Sequence, residues 1–168
     1  MIRHIVNVNV QGATAEQYYD FMIMPDDRCY HEWWPDEHLQ YHIMKHGNEK
    51  HLGDEVYYDE YLGQKCRLRF HAIVSEAIRP VRIVWQMKKA GVRLPAFLIL
   101  ELHDSQSGIQ IMHELRLGYS GCGRLLDPLI ELYFNKSFQA ALEKHCKNEW
   151  PRLAKYLSEG MVKEENLE

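Results

Sequence analysis

No stretch of this chain is basic enough to grip a phosphate backbone. Its 168 residues carry a formal charge of −4, and Lys and Arg are scattered rather than gathered into a stripe. Phosphate binding needs concentrated positive charge, so nucleic acid is not expected as a partner. Long apolar runs are missing too, and none reaches the ~20 residues needed to span a bilayer. The opening "MIRHIVNVNV" interleaves apolar residues with His and Asn, so it has no continuous signal-peptide core. Cysteine is sparse, with residues at 29, 66, 122 and 146 in no paired metal spacing. Reduced thiols in a cytoplasmic protein are the expectation. There is no Gly-x-Ser-x-Gly nucleophile turn. The glycine-rich "GYSGCGRL" lacks the Gly-Lys-Ser/Thr of a phosphate loop and reads as a strand-to-helix hinge. Repeats, low-complexity tracts and linkers are also absent. One domain over residues 1–160, followed by a polar tail at 161–168, is therefore expected.

Histidine, by contrast, is plentiful: ten residues, a first hint of metal or acid–base chemistry. The periodicities give an order of elements. "RHIVNVNVQ" alternates as a strand, and "TAEQYYDFMI" reads as a short helix capped by Thr14. "PDDRCYHEWWPDEHL" is broken by Pro25 and Pro35. From about residue 40 to 120 the period is two. "EVYYDEYLGQKCRLRFHAIV" forms a hairpin pattern turning at Gly63-Gln64, and "VRIVWQMK", "AFLILELH" and "IQIMHELRLGY" add three strands. A long amphipathic helix is expected from "DPLIELYF", with Asp127 as cap and Pro128 in the first turn, to about Ser158. Pro151 should bend or end it. The economical packing is α+β: a curved antiparallel sheet wrapped around that helix, with a cavity between them.

The faces of these elements carry the chemistry. At about 100° per residue, His145 and Glu149 fall inside the stripe marked by Phe134, Phe138, Leu142, Leu153 and Tyr156. Lys136, Glu143, Lys144 and Lys147 lie around the back. In the hairpin, Val56, Tyr58, Glu60 and Leu62 share one face, matched by Cys66, Leu68, Phe70 and Ala72. Glu60 therefore points inward, while Arg67, Arg69 and His71 point out. A buried carboxylate costs several kcal/mol, of order 5, without compensation. No Lys or Arg sits at comparable inward positions, which leaves a metal ion as a simple compensator. His38, after Pro35, offers a further imidazole, with His31 and His42 as its substitutes. Imidazole plus carboxylate suits Zn²⁺, with Fe²⁺ or Mn²⁺ possible. The competing reading of His145 and Glu149 is an ordinary i, i+4 side-chain pair near the helix end. His113 shares a face with Ile109, Ile111, Leu115 and Leu117. It is either a satisfied core histidine or a proton donor in the cavity.

The layout resembles the START-like, or Bet v 1-like, helix-grip superfamily, which includes polyketide cyclases and lipid-binding proteins. Within it, "WPDEH", "DEYLG" and "HCKNE" resemble the diacetylphloroglucinol hydrolase family, although this chain is shorter. That family consists of zinc-dependent enzymes that cleave a carbon–carbon bond. The resemblance implies zinc ligands at His38, Glu60, His145 and Glu149. Four protein ligands would close a tetrahedral shell, so activity would require Glu60 or Glu149 to move or act as base. His42 or His113 would then shuttle the proton. Trp34, Tyr58, Phe70, Phe138 and Leu142 are the candidate ligand-binding residues. The expected function is a zinc-dependent hydrolase or lyase acting on a small, hydrophobic, possible aromatic-type ketone. The alternatives are a non-catalytic carrier of a lipid or apolar molecule, and a metal-free cyclase or dehydratase.

Overall fold

A computed structural model describes residues 1–63, 66–119 and 134–165, with side chains to residue 159 in the last segment. The alternating segments form seven strands of one antiparallel sheet. They are β1 (Ile2–Val10), β2 (His38–Lys45), β3 (Glu55–Leu62), β4 (Cys66–Ile78), β5 (Arg82–Lys89), β6 (Val92–Ser105) and β7 (Gly108–Leu117). The spatial order is β1-β7-β6-β5-β4-β3-β2. Consecutive strands from β2 to β7 thus pair in turn, and β1 closes the far edge beside β7, with Val6 opposite His113. Strand parity comes out as the side-chain pattern requires. Val56, Tyr58 and Leu62 are buried, while Arg67, Arg69 and His71 are exposed.

Two short helices, α1 (Ala15–Ile23) and α2 (Asp27–Trp33), connect β1 to β2. Thr14 and Gln17 form a reciprocal capping box on α1, and Asp26 caps α2 by accepting from the Cys29 N–H. The long helix α3 spans Lys136–Glu165. Its buried positions, Leu142, His145, Cys146, Glu149, Trp150, Leu153 and Ala154, recur every three or four residues. The apolar ones among them belong to one core cluster with inward residues of the sheet such as Ile83, Trp85, Leu100 and Ile111.

Three boundaries differ from the periodicity reading. Phe134 and Asn135 are not helical; Asn135 caps α3 instead, its side chain accepting from the Phe138 N–H at 3.0 Å. The expected cap at Asp127, Pro128, most of the "GYSGCGRL" hinge and Gln64 lie outside the described residues. Pro151 does not end the helix, which continues through residues 161–165 of the expected tail. Beside it, the Tyr18 hydroxyl donates to the Trp150 carbonyl at 2.5 Å. Finally, β6 begins at Val92 rather than Ala96. Among the described residues, no helix is long and apolar enough to cross a membrane.

Candidate metal centre

Between the sheet and α3 lies a cavity of 390 Å³ whose walls are mostly apolar, among them Phe70, Met87, Leu98, Leu100, Leu115 and Leu117. Tyr58, Phe138 and Leu142 line it as expected, and so do the ionisable Tyr30, Glu60, His113, His145 and Glu149. An adjoining groove of 790 Å³, lined by Trp34, Glu37, Lys144 and Asn148 among others, shares Phe138 and His145 with the cavity. Trp34 therefore belongs to the groove side, where its ring stacks on His145 at 4.8 Å.

His38 from β2 meets His145 and Glu149 from α3, one donor atom of each lying within 4.8 Å of the others. His38 Nε2 is 3.8 Å from Glu149 Oε1, and His145 Nε2 is 3.7 Å from Glu149 Oε2. All three residues are buried, with exposures of 0%, 4% and 4%. Those gaps are too long for hydrogen bonds. Both ring nitrogens of His38, Nε2 of His145 and Oε2 of Glu149 consequently have no hydrogen-bond partner. Leaving such atoms unpaired is unfavourable by about 1–3 kcal/mol each. Donors ~2.0–2.2 Å from one tetrahedral ion stand about 3.3–3.6 Å apart, so gaps of 3.8 and 3.7 Å need close by only a few tenths of an ångström to share one. Among the described residues, no Lys or Arg forms an ion pair with Glu149.

The rings are held from behind. Tyr30 stacks on His38 with centroids 4.1 Å apart, nearly parallel. His145 Nδ1 contacts Glu37 Oε2 at 2.7 Å, which leaves Nε2 directed at Glu149. A carboxylate on the far nitrogen of an imidazole is how ligand histidines are oriented and made more basic. Burial, helped by the neighbouring His145, holds His38 well below the usual imidazole range, so the ring is neutral and one of its nitrogens offers a lone pair. Burial also acts to lower His145, but Glu149, Glu60 and Glu37 outweigh it and the ring titrates above its ordinary value. Burial pushes the Glu149 carboxyl upward, against the pull of His145 and with added repulsion from Glu60 and Glu37. A cation at this point would relieve all three.

Three of the four expected ligands are thus brought together, and the fourth is not. Glu60 faces the cavity, as its parity required, but it accepts a 2.5 Å hydrogen bond from the Tyr30 hydroxyl and falls outside the three-residue group. An ion held by three such donors would keep a coordination position open, where four would close a tetrahedral shell. His42 is also displaced from its expected place. A register shift between His38 and Gln40 breaks the parity of β2, so Tyr41 is buried where strict alternation would bury His42. His42 turns outward instead and pairs with Asp27 at 2.9 Å. His31, the other substitute, is exposed and contacts the His38 carbonyl oxygen through Nδ1 at 2.7 Å. His113 does reach the interior, where burial pushes it down to about 3 with help from His145 and His4.

Two participants escaped the sequence reading. Glu37 stands beside His38 in the turn between α2 and β2, and the rule that ligand histidines recruit a carboxylate was the signal to search for it. Cys146 lies next to His145, with Sγ 3.0 Å from His113 Nδ1. The sequence reading counts it only among the reduced thiols.

No family model matches the chain, and no curated protein matches it either. Solved structures do. NE0264 from Nitrosomonas europaea aligns with a TM-score of 0.54 at 12% identity, over 96% of this chain and 97% of that one. DynU16, described as a protein of the dynemicin biosynthetic locus, gives 0.56 at 15% identity over 94% of this chain and 48% of its own. The major latex-like protein 151 of Panax ginseng gives 0.53 at 9% identity, over 86% and 96%. The chain has the Bet v 1-like helix-grip fold. At these identities the likeness concerns the fold, and a helix grip hosts many functions. What this one does must be argued from the site.

Proposed function

We propose that the helix grip binds a small apolar molecule in its cavity, and that a divalent metal, zinc by the donor set, is held at the cavity wall by His38, His145 and Glu149. The observation that carries this reading is the convergence of these buried donors on one point, with their facing atoms unpartnered and, among the described residues, no Lys or Arg paired with Glu149. The activity it fits best is a metal-dependent hydrolase or lyase reaction on a hydrophobic ketone. When bound, the metal would supply Lewis acidity toward a carbonyl oxygen, or a water acidified to about pKa 7.

The chain's own residues do the rest. Glu37 fixes the His145 ring, and Tyr30 and Trp34 clamp the two imidazole planes. Leu98, Leu100, Leu115 and Leu117 exclude water from the ketone's hydrocarbon portion, and Tyr58 and Phe70 provide stacked aromatic faces. Glu60, already tied to Tyr30, stands on the same wall as a proton acceptor. His113 presents an unpartnered Nε2 there as a hydrogen-bonding group. The location of DynU16 in a biosynthetic locus is compatible with small-molecule chemistry on this scaffold.

The test is metal analysis of purified, desalted protein beside His38→Ala, His145→Ala and Glu149→Gln. Zinc should be retained by the parent and lost in all three variants, with turnover of an aryl ketone abolished by a chelator and restored by zinc. Protein free of metal but carrying an apolar ligand would instead identify a carrier. Turnover that survives full metal removal would identify a metal-free cyclase or dehydratase.

A further inference from the structure

Glu149 belongs to two groups of buried donors, and the second is His113, Cys146 and Glu149, again with one donor atom of each within 4.8 Å of the others. Helix geometry explains the sharing. His145 and Cys146 precede Glu149 by four and three residues, so both lie one turn below it, about 100° apart around the axis. His38 completes the group on the His145 side, from the edge strand β2. His113 completes it on the Cys146 side, from β7, near the opposite edge. One carboxylate therefore stands between two imidazole-containing groups supplied by opposite ends of the sheet.

The distances suit an ion. Cys146 Sγ and His113 Nδ1 are 3.0 Å apart, a thiol–imidazole hydrogen bond that a shared ion would replace. With metal–sulfur and metal–nitrogen bonds of ~2.3 and ~2.1 Å, that gap subtends about 90° at a shared ion, and opening it by about 0.6 Å gives the tetrahedral angle. Cys146 is 0% exposed and Glu149 only 4%, and Glu149 Oε2 has no hydrogen-bond partner. A buried carboxylate oxygen with nothing to accept from calls for a partner, here as at the first position.

We propose that His113, Cys146 and Glu149 form a second metal position, so that Glu149 bridges two ions, one softer than the other. The inference rests on the first position being a metal site. The second set adds a thiolate, which selects zinc over manganese and disfavours the hard cations magnesium and calcium. Loading this position transfers the Cys146 thiol proton to solvent, leaving the sulfur as the thiolate ligand.

Cobalt(II) tests this, because a thiolate bound to it produces a near-ultraviolet charge-transfer band that nitrogen and oxygen ligands do not. The chelated, then cobalt-loaded and desalted full chain should hold two equivalents and show the band. Cys146→Ser should fall to one equivalent, lose the band and keep visible d–d absorption from the His38 group. Should the serine variant fail to fold, as judged by circular dichroism, the parent's stoichiometry and spectrum decide alone. One equivalent without the band would overturn the second position while leaving the first intact. Two equivalents without the band would overturn Cys146 as a ligand. No bound cobalt would overturn both readings.

Discussion

Replacing Glu37 tests the proposed role of His145 as a metal ligand without touching the ligand itself. Its Oε2 lies 2.7 Å from His145 Nδ1, with the Glu37 side chain 15% and the His145 side chain 2% exposed. A charge-assisted hydrogen bond so sheltered contributes about 1.5–3 kcal/mol. At ~1.4 kcal/mol per factor of ten, that is about 10- to 150-fold in zinc affinity. The range matches the ~10–100-fold expected when a carboxylate behind a ligand histidine is lost. Glu37→Gln keeps an oxygen that can accept from Nδ1–H but removes the charge, so its loss should sit near the lower end, about tenfold. Glu37→Ala removes both and should approach ~100-fold. Glu37 also accepts from the Gly63 N–H at 3.2 Å, so melting curves must accompany the measurement. Zinc affinity by competition against a chromophoric chelator gives the answer. If both variants remain folded and stay within about threefold of the parent, His145 is not a metal ligand oriented by Glu37 and the argument fails.

Other outcomes follow from the same geometry. Glu60→Gln should retain zinc within about threefold while lowering ketone turnover, because Glu60 lies outside the three-donor group; metal loss would restore it as a ligand. Leu142→Ala should destabilise the fold by about 2–3 kcal/mol in urea titration, the low end for a buried leucine because it already borders open volume. The same change should let a bulkier ketone bind. On the outer face, Arg3 and Arg116 hold the Glu114 carboxyl down at about 2. A depressed carboxylate stabilises the fold above its unfolded pKa of 4.5, and that contribution is lost as pH falls from 4.5 toward 2. The shift alone would give roughly 3 kcal/mol, but Arg3 is 53% exposed, so solvent screening reduces the expectation to about 1–2 kcal/mol. Glu114→Gln should flatten the acid limb of a stability–pH curve by that amount, and an unchanged limb would refute the assignment.

Much of the site was legible because local periodicity reports which way a side chain points. The helical stripe of α3 placed His145 and Glu149 inside, and strand parity placed Glu60 and His113 on the concave face; all four line the cavity. His42, offered as a substitute for His38 and as a proton shuttle, turns outward because one register shift in β2 exchanges inside for outside, and an irregularity of that kind has no signature in residue type. The start of α3 was misjudged because apolar spacing continues through Phe134 and Phe138 although Asn135 caps the helix between them.

Sequence alone determined the fold class, the amphipathic long helix and the unusual presence of acid and imidazole on buried faces, since these depend on neighbours a few residues apart. Which groups meet was decided by the tertiary structure. Glu37 reaches His145 across 108 residues, and His113 reaches Cys146 across 33. Such pairs form where the sheet closes over α3, a geometry set by the summed twist and register of seven strands. No local pattern encodes whether two inward-facing donors end 4 Å or 10 Å apart, and the chemistry of a metal site turns on that difference.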